Sequence, residues 1–254
     1  MQWMRPIALM SDFGTRDPYV ASMKGVIASR TTAPLFDLSH EIPPYDVLEA
    51  AWFLKTAAPH WPAGTIFVAV VDPGVGSSRR IVAAGWQGRL FLAPDNGLLS
   101  LLPLERMVSV ENEQFFLPGG STTFHGRDRF APAAAALANG TALEELGPPL
   151  QSIVRLDYER PRYGDTARGT IVAVDRFGNL ITDIERARVP GAIALRARNV
   201  IIDRMERNYA DAEPGAFLIV GSSGFIEISV ANGSAAERLQ LRRLDRVEVW
   251  TINA

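Results

Sequence analysis

Short apolar runs that stop abruptly at polar or glycine-rich residues set the rhythm of the first half of the chain. Pro6–Met10 (PIALM) ends at Ser11-Asp12-Phe13-Gly14-Thr15, Leu35–Ser39 (LFDLS) at His40-Glu41, and Thr65–Val71 (TIFVAVV) at Asp72-Pro73. Apolar runs of this length bounded by turn formers predict buried strands. Between them the period becomes helical. Tyr19, Val20, Met23, Val26 and Ile27 fall on one stripe after Pro18, a residue suited to a first helical turn. Val47, Ala50, Ala51, Leu54 and Ala58 form a second stripe, with Asp46 as N-cap, Glu49 as its capping-box partner, and Pro59 and Pro62 ending it. IVAAG (Ile81–Gly85) and RLFLAP (Arg89–Pro94) read as a hairpin or an adjacent strand pair, with turn chemistry at Asp95-Asn96-Gly97. Ala131–Ala138 reads as a helix with Pro132 in its first turn and Asn139-Gly140 past its end. Strands alternating with helices predict an α/β domain with a central, mostly parallel sheet and ligand-facing loops at strand ends.

The pattern changes between Pro161 and Ala167. Beyond it GTIVAVD, NLITDI, AIALRA, VIID, AFLIV, FIEISVA and RVEVWTI follow one another with turn residues between them and little helical period. FIEISV alternates, with Phe225, Glu227 and Ser229 on one face and Ile226, Ile228 and Val230 on the other. This half predicts an all-β domain, either a small barrel-like sheet or a sandwich. The expected domains are 1–164 and 165–254.

Composition narrows the functional classes. A chain of 254 residues has ample material for a core, and a net charge of −2 without a basic block gives no electrostatic case for nucleic acid. The absence of cysteine removes disulfides and thiolate metal sites and fits a reducing compartment. The first ten residues do not read as a signal peptide, and no apolar stretch is long enough to span a bilayer. The expectation is a soluble cytoplasmic enzyme or binding protein.

Four stretches carry candidate chemistry: Ser11-Asp12, the loop Asp72–Arg79, Phe124-His125-Gly126-Arg127-Asp128, and Asp175-Arg176-Phe177-Gly178-Asn179. Each has a plainer reading. Asp12 and Asp72 can be turn or cap residues, His125 a structural histidine, Arg127-Asp128 an internal salt bridge, and Asp175–Asn179 a β-turn. The common motifs are missing. Gly74-Val75-Gly76-Ser77-Ser78-Arg79 has arginine where a dinucleotide fingerprint needs its third glycine, and neither a P-loop, HExxH nor GxSxG occurs. What remains is a site made of Asp, Arg, His and backbone amides, with no metal and no cofactor.

Seven segments in order give that site a family context: SDFGTRDPYVASMKG, HEIPPYDV, VVDPGVGSSRR, APDNGLLS, TFHGRDRFAP, DRFGNLITDI and SSGFIEISVANGSAA. Together they resemble the S-adenosylmethionine (SAM) hydroxide adenosyltransferases, or SAM hydrolases, relatives of the fluorinase and chlorinase enzymes. The resemblance implies a homotrimer with SAM held between the N-terminal domain of one subunit and the C-terminal domain of the next. It implies attack of water or hydroxide on C5′ of SAM, giving adenosine and L-methionine. The family's Asp–Arg–His trio falls on Asp72, Arg79 and His125. By the same resemblance Asp12 binds the ribose hydroxyls, Tyr45 packs near ribose and methionine, and Asp175 takes the methionine amino group. Phe177 and Asn179 stack on and hydrogen-bond adenine, and Ser222 grips the methionine carboxylate. Ser223 stands where the halogenase has arginine, His125 where it has tyrosine, and Gly126 where it has serine. Asp72 and Val75 stand where the halide pocket has tyrosine and threonine, and an anionic carboxylate there repels halide. The hydrolase reading is therefore favoured over a halide-dependent adenosyl transferase, and over a SAM- or adenosine-binding sensor without turnover.

Overall fold

The structure, a computed structural model, describes residues 5–252, which divide into two compact units between Leu156 and Asp157. The change of pattern places this boundary at 164/165, but Arg162 and Arg168 exchange backbone hydrogen bonds, which ties the intervening segment to the second unit.

The first unit contains β1 (Ile7–Ser11), α1 (Tyr19–Ala28), β2 (Leu35–Ser39), α2 (Val47–Ala57), β3 (Ile66–Val70), β4 (Ile81–Trp86), β5 (Arg89–Pro94), β6 (Arg106–Ser109) and α3 (Ala131–Ala138). The strands form one sheet in the order β2-β1-β3-β5-β4-β6. Neighbours β1–β2, β1–β3 and β3–β5 are parallel, while β4–β5 and β4–β6 are antiparallel. The sheet is thus mixed: three of its five pairings are parallel, as expected, and the two made by β4 are antiparallel. The cause is the turn after Trp86: Gln87 and Gly88 both have positive φ (48° and 72°), the two-residue geometry that folds a strand straight back on itself.

Alternation along the strands builds a core on each face. Ile7, Leu9, Ile66, Val68 and Val70 face α1 and α3, while Ala8, Met10, Phe67, Ala69 and Val71 face α2. Both faces are covered, which is why these strands read as continuous apolar runs. The Asp46 side chain accepts the Glu49 N–H at 3.0 Å and caps α2 as expected. From β1 the chain crosses to β2, on one side. From β3 it continues toward β5, on the other. The carboxyl ends of β1 and β3 therefore flank a topological switch point, where open α/β sheets hold ligands.

The second unit contains β7 (Thr166–Val174), β8 (Leu180–Glu185), β9 (Ile193–Ala197), β10 (Val200–Ile202), β11 (Ala216–Val220), β12 (Phe225–Val230), α4 (Ala235–Leu239) and β13 (Arg246–Thr251). All pairings in the sheet β10-β9-β13-β7-β8-β12-β11 are antiparallel. The edges nearly meet: Leu218 of β11 donates to Arg204 O and accepts from Glu206 N, just past β10, both at 2.8 Å. The result is a nearly closed, barrel-like sheet around Leu195, Ile226, Ile228, Val247 and Val249. Closure leaves almost no free edge. No helix among the described residues is long and apolar enough to cross a membrane.

Candidate active site

Asp72 lies two residues beyond β3, and the loop after it folds tightly on itself. Val75 N donates to Asp72 O, Ser77 N to Gly74 O, and Arg79 N to Ser77 Oγ at 3.2, 3.1 and 3.2 Å. Gly76 adopts φ +82°, and a Cβ there would lie 2.7 Å from Thr122 O. Glycine is needed at that point because only it fits both the backbone angle and the contact. The close approach brings the loop against the segment that carries His125. From a third direction Asn96 Nδ2 donates to Val71 O at 2.8 Å, pinning the strand end.

Arg79 thereby turns back onto Asp72. Its Nε donates to Oδ1 at 2.9 Å and its Nη2 donates to Oδ2, with the carboxylate side chain 4% and the guanidinium side chain 9% exposed. The same Nη2 also donates to His125 Nδ1 at 2.8 Å. A guanidinium has no acceptor, so Nδ1 must present its lone pair and the ring proton sits on Nε2. Burial, then the charges of Arg129 and Arg79, hold the His125 imidazole below the usual histidine value, so it is neutral at pH 7. The arrangement is a buried anion, a cation spanning it, and a neutral imidazole whose remaining N–H is a donor.

His125 opens a single π-helical turn, Gly126–Phe130, that runs into α3. Asp128 anchors the turn through Arg127 (2.6 and 2.9 Å) and the Ser121 N–H (2.6 Å). Burial alone would raise the Asp128 carboxyl, but these donors hold it below the usual carboxylate range. Arg127-Asp128 is therefore an internal ion pair, the plainer of its two readings. Gly126 sits 3.1 Å from Met23 Sδ and 3.2 Å from the Phe124 ring measured at its missing Cβ, so a larger residue would crowd the turn. Phe13, Tyr19 and Phe124 meet with ring centroids 5.2–6.0 Å apart, joining the Asp12 loop, the start of α1 and the His125 segment.

Asp12 and Tyr45 are brought together: Asp12 Oδ2 accepts the Tyr45 N–H at 2.9 Å. Tyr45 holds φ +66°, an uncommon angle for a non-glycine residue, and leaves its side chain in solvent with the residue 72% exposed. Behind Asp12 lies a chain that the sequence did not disclose. Ser11 Oγ meets His40 Nδ1 at 2.7 Å, His40 Nε2 meets Asp37 Oδ1 at 3.0 Å, and Asp37 Oδ2 pairs with Lys24 at 2.6 Å. Ser11 and His40 are buried, and His40 O accepts the Gly14 N–H at 2.8 Å, so this chain fixes the loop that presents Asp12. A histidine directly after a strand and a serine directly before Asp12 were the only sequence signals for it.

In the second unit Asp175–Asn179 forms the tight turn that its residue types suggest. Asp175 Oδ1 accepts the N–H groups of Phe177 (2.9 Å) and Asn179 (2.8 Å), and Oδ2 accepts Asn179 Nδ2 at 2.8 Å. Gly178, at φ +82°, packs on Ser234, the N-cap of α4, and accepts from Ala236 N at 3.0 Å. Asn179 is buried, whereas Phe177 is 78% exposed. Ser222 and Ser223 lie exposed in the Gly221–Gly224 turn between β11 and β12. Under that turn, Glu227 is buried against the Gly221 backbone and accepts from Tyr209 Oη at 3.1 Å. Burial raises the Glu227 carboxyl, opposed by the Tyr209 hydrogen bond and aided by the Asp175 charge. The Tyr209 phenol is pushed up to about 12. Glu227 and Tyr209 were not singled out in the sequence, since a glutamate in an alternating strand looks solvent-facing.

Comparison with known proteins agrees along the chain. The model of the SAM hydroxide adenosyltransferase N-terminal domain matches residues 7–147, and that of the C-terminal domain matches residues 169–248. A protein of Thermus thermophilus named (R)-S-adenosyl-L-methionine hydrolase is 43% identical over 94% of this chain and 97% of its own. A protein of the same name from Methanocaldococcus jannaschii is 32% identical over 96% and 95%. A fluorinase of an Actinoplanes species is 32% identical but covers only 71% of this chain and 72% of its own. The crystal structure of an uncharacterized conserved protein from Thermotoga maritima superposes with a TM-score of 0.90 at 31% identity, covering 96% of this chain and 99% of the other.

Proposed function

The chain belongs to the SAM hydroxide adenosyltransferase family, and on that premise we propose that it hydrolyses SAM to adenosine and L-methionine. The observation that carries the mechanism is Arg79 Nη2 donating to Asp72 and His125 together. Water attacks C5′ in line with the departing sulfur. The O–C5′ bond forms, the C5′–S bond breaks, and its electron pair neutralises the sulfonium. Methionine leaves as a neutral thioether, so its expulsion needs no acid. The protein's task is to place the nucleophile at near-attack distance.

Asp72 and His125 share that task. A carboxylate accepts up to about four hydrogen bonds, so Asp72 can accept from water while Arg79 holds both its oxygens. His125 Nε2–H donates to the same water and sets its lone pair toward C5′. Arg79 holds Asp72 in place, and the chemistry asks no strong base of it. As the O–C5′ bond forms, the attacking oxygen becomes an oxonium, which is acidic enough to give its proton to an ordinary carboxylate. The trio orients first and receives the proton afterwards.

Asp12 takes the ribose hydroxyls beside Tyr45, Phe177 stacks on adenine, and Asn179 hydrogen-bonds it. Asp175 receives the methionine ammonium and Ser222 its carboxylate. The exposure of Tyr45 (72%) and Phe177 (78%) is compatible with this reading, because it leaves both rings accessible for packing on a nucleoside. We assign the working form as a homotrimer in which the first unit of one subunit and the second unit of the next enclose SAM. A cysteine-free chain acting on this substrate fits the cytoplasm.

The relatives' names specify the (R) sulfonium epimer, and we extend that preference to this chain. Inversion at sulfur moves the methyl group, not C5′, so the choice between epimers rests on the space around the methionine arm. Purified protein is incubated with each epimer in H₂¹⁸O, and adenosine and methionine are followed chromatographically with and without chloride and fluoride. The expected result is ¹⁸O in adenosine, a higher kcat/KM for the (R) epimer and no 5′-halo-adenosine. Halide-dependent product, or bound SAM without turnover, overturns the hydrolase.

A further inference from the structure

The second unit carries a feature that SAM hydrolysis does not use: a cleft of about 530 Å³ on the outer face of β7, β13 and β9. It is lined by six arginines, of which Arg162 and Arg168 precede or open the barrel, Arg196 and Arg198 follow from β9, and Arg246 begins β13. Arg160 is the sixth. In the sequence these residues are scattered and the chain is net acidic, so no basic block announces them.

Strand register explains their assembly. Glu248 of β13 lies directly opposite Arg168 on one side and Arg196 on the other, with ion-pair contacts to both (3.2 Å to Arg168 Nε). Glu159 bridges Arg162 at 3.0 Å and Arg246 at 3.4 Å, and Asp245 holds Arg198 at 2.8 Å. Each carboxylate thus acts as a spacer that orients guanidinium groups. Five of the guanidiniums share these three carboxylates, so the balance among them stays positive. Arg162 and Arg168 are moreover a directly hydrogen-bonded antiparallel pair. Like charges directly opposite one another repel, and an anion between them relieves the repulsion.

We propose that this cleft binds a small molecule bearing a chain of phosphoryl groups, either inorganic polyphosphate or a nucleoside triphosphate. The arginines are spread over three adjacent strands, roughly 10 Å across at the usual strand spacing, so a chain of phosphoryl groups can engage more of them at once than a single phosphate can. Guanidinium is the side chain suited to bidentate oxyanion recognition, and the volume lies in the usual range for small-ligand sites. A nucleic acid fits worse: these arginines are confined to one cleft, on a chain of net charge −2.

Titration calorimetry of the full chain with sodium tripolyphosphate, ATP, orthophosphate and a single-stranded oligonucleotide tests the proposal at fixed ionic strength. Saturable binding of tripolyphosphate, at least tenfold tighter than orthophosphate, is expected. Equal affinity for ATP marks the phosphoryl chain alone as the ligand, and tighter ATP binding marks a nucleoside triphosphate. Arg168→Ser/Arg196→Ser should weaken binding at least tenfold while leaving SAM hydrolysis and oligomeric mass unchanged. If that pair misfolds, Arg246→Gln, at a position where the side chain is 86% exposed, should weaken binding severalfold in a folded protein. No saturable binding, binding indifferent to these substitutions, binding of the oligonucleotide alone, or loss of the oligomer in the variants overturns it.

Discussion

Replacing Arg79 by methionine separates the structural from the chemical role of the central ion pair. Methionine keeps much of the side chain's length but leaves the Asp72 carboxylate, 4% exposed, without the cation that engages both its oxygens. Removing one partner of a buried pair costs about 3–5 kcal/mol, because the orphaned charge remains out of water. For a unit of this size 1 kcal/mol corresponds to about 2–4 °C in Tm, so melting should fall by roughly 6–20 °C. The double variant Asp72→Asn/Arg79→Met removes both charges and should recover most of that loss, with a coupling of at least about 1 kcal/mol. Activity should not recover with it. The double variant lacks the anion proposed to orient water and take its proton, and the single variant lacks the cation that holds that anion beside His125, so kcat should drop about 10²–10⁴-fold in each. Urea denaturation followed by circular dichroism gives the stability arm and adenosine release the kinetic arm. A single variant as stable as the parent, or a double variant whose losses simply add, would refute the buried-pair argument. Wild-type kcat in either would remove the trio from the mechanism.

Three further outcomes follow from the geometry. His125 is held below the ordinary histidine value, so below about pH 6.5 the unfolded chain binds the extra proton and the folded chain resists it. Stability should therefore decline as pH falls from 6.5 toward the folded pKa, with no contribution above 6.5, and His125→Gln should flatten this slope in melting curves taken from pH 5 to 8. Gly76→Ala meets both φ +82° and Thr122 O at 2.7 Å, which should cost about 1–3 kcal/mol and lower kcat by displacing the Asp72 loop. Denaturation and turnover of that variant should fall together, and an unchanged pair would show that the loop tolerates the shift. Phe177→Ala should leave Tm unchanged, since the ring is 78% exposed, yet weaken SAM binding by the roughly 1–3 kcal/mol of a base stacked on an aromatic ring. Calorimetric affinity equal to the parent's would remove adenine stacking from the reading.

Much of the fold was legible because it rests on local physics. Buried strands announced themselves as apolar runs, and the Asp46–Glu49 cap formed where the residue types required it. Strand direction was partly legible. The residues at β4 and β5 read as a hairpin or an adjacent pair, and the left-handed angles of Gln87-Gly88 settled it as an antiparallel hairpin. Glu227 was misleading for a related reason. Alternation in β12 marks two faces, but whether the second face meets water depends on Tyr209, which reaches Glu227 there.

The sequence by itself determined the alternation of strands and helices, the change to an all-β half, and the loop residues proposed to carry the chemistry. These are matters of neighbouring residues, periodic patterns and turn preferences, which a chain expresses before it folds. Only the tertiary structure decided what those residues touch. Arg79 and His125 are 46 positions apart, and Ser11 and His40 are 29 apart. Their hydrogen bonds fix a tautomer in one case and a loop in the other. The arginine cleft is the extreme instance, since strand register alone carries residues 168, 196 and 248 to one line. Electrostatics and hydrogen bonding act through distances in space, and spatial distance is what a linear sequence leaves open until the sheet closes.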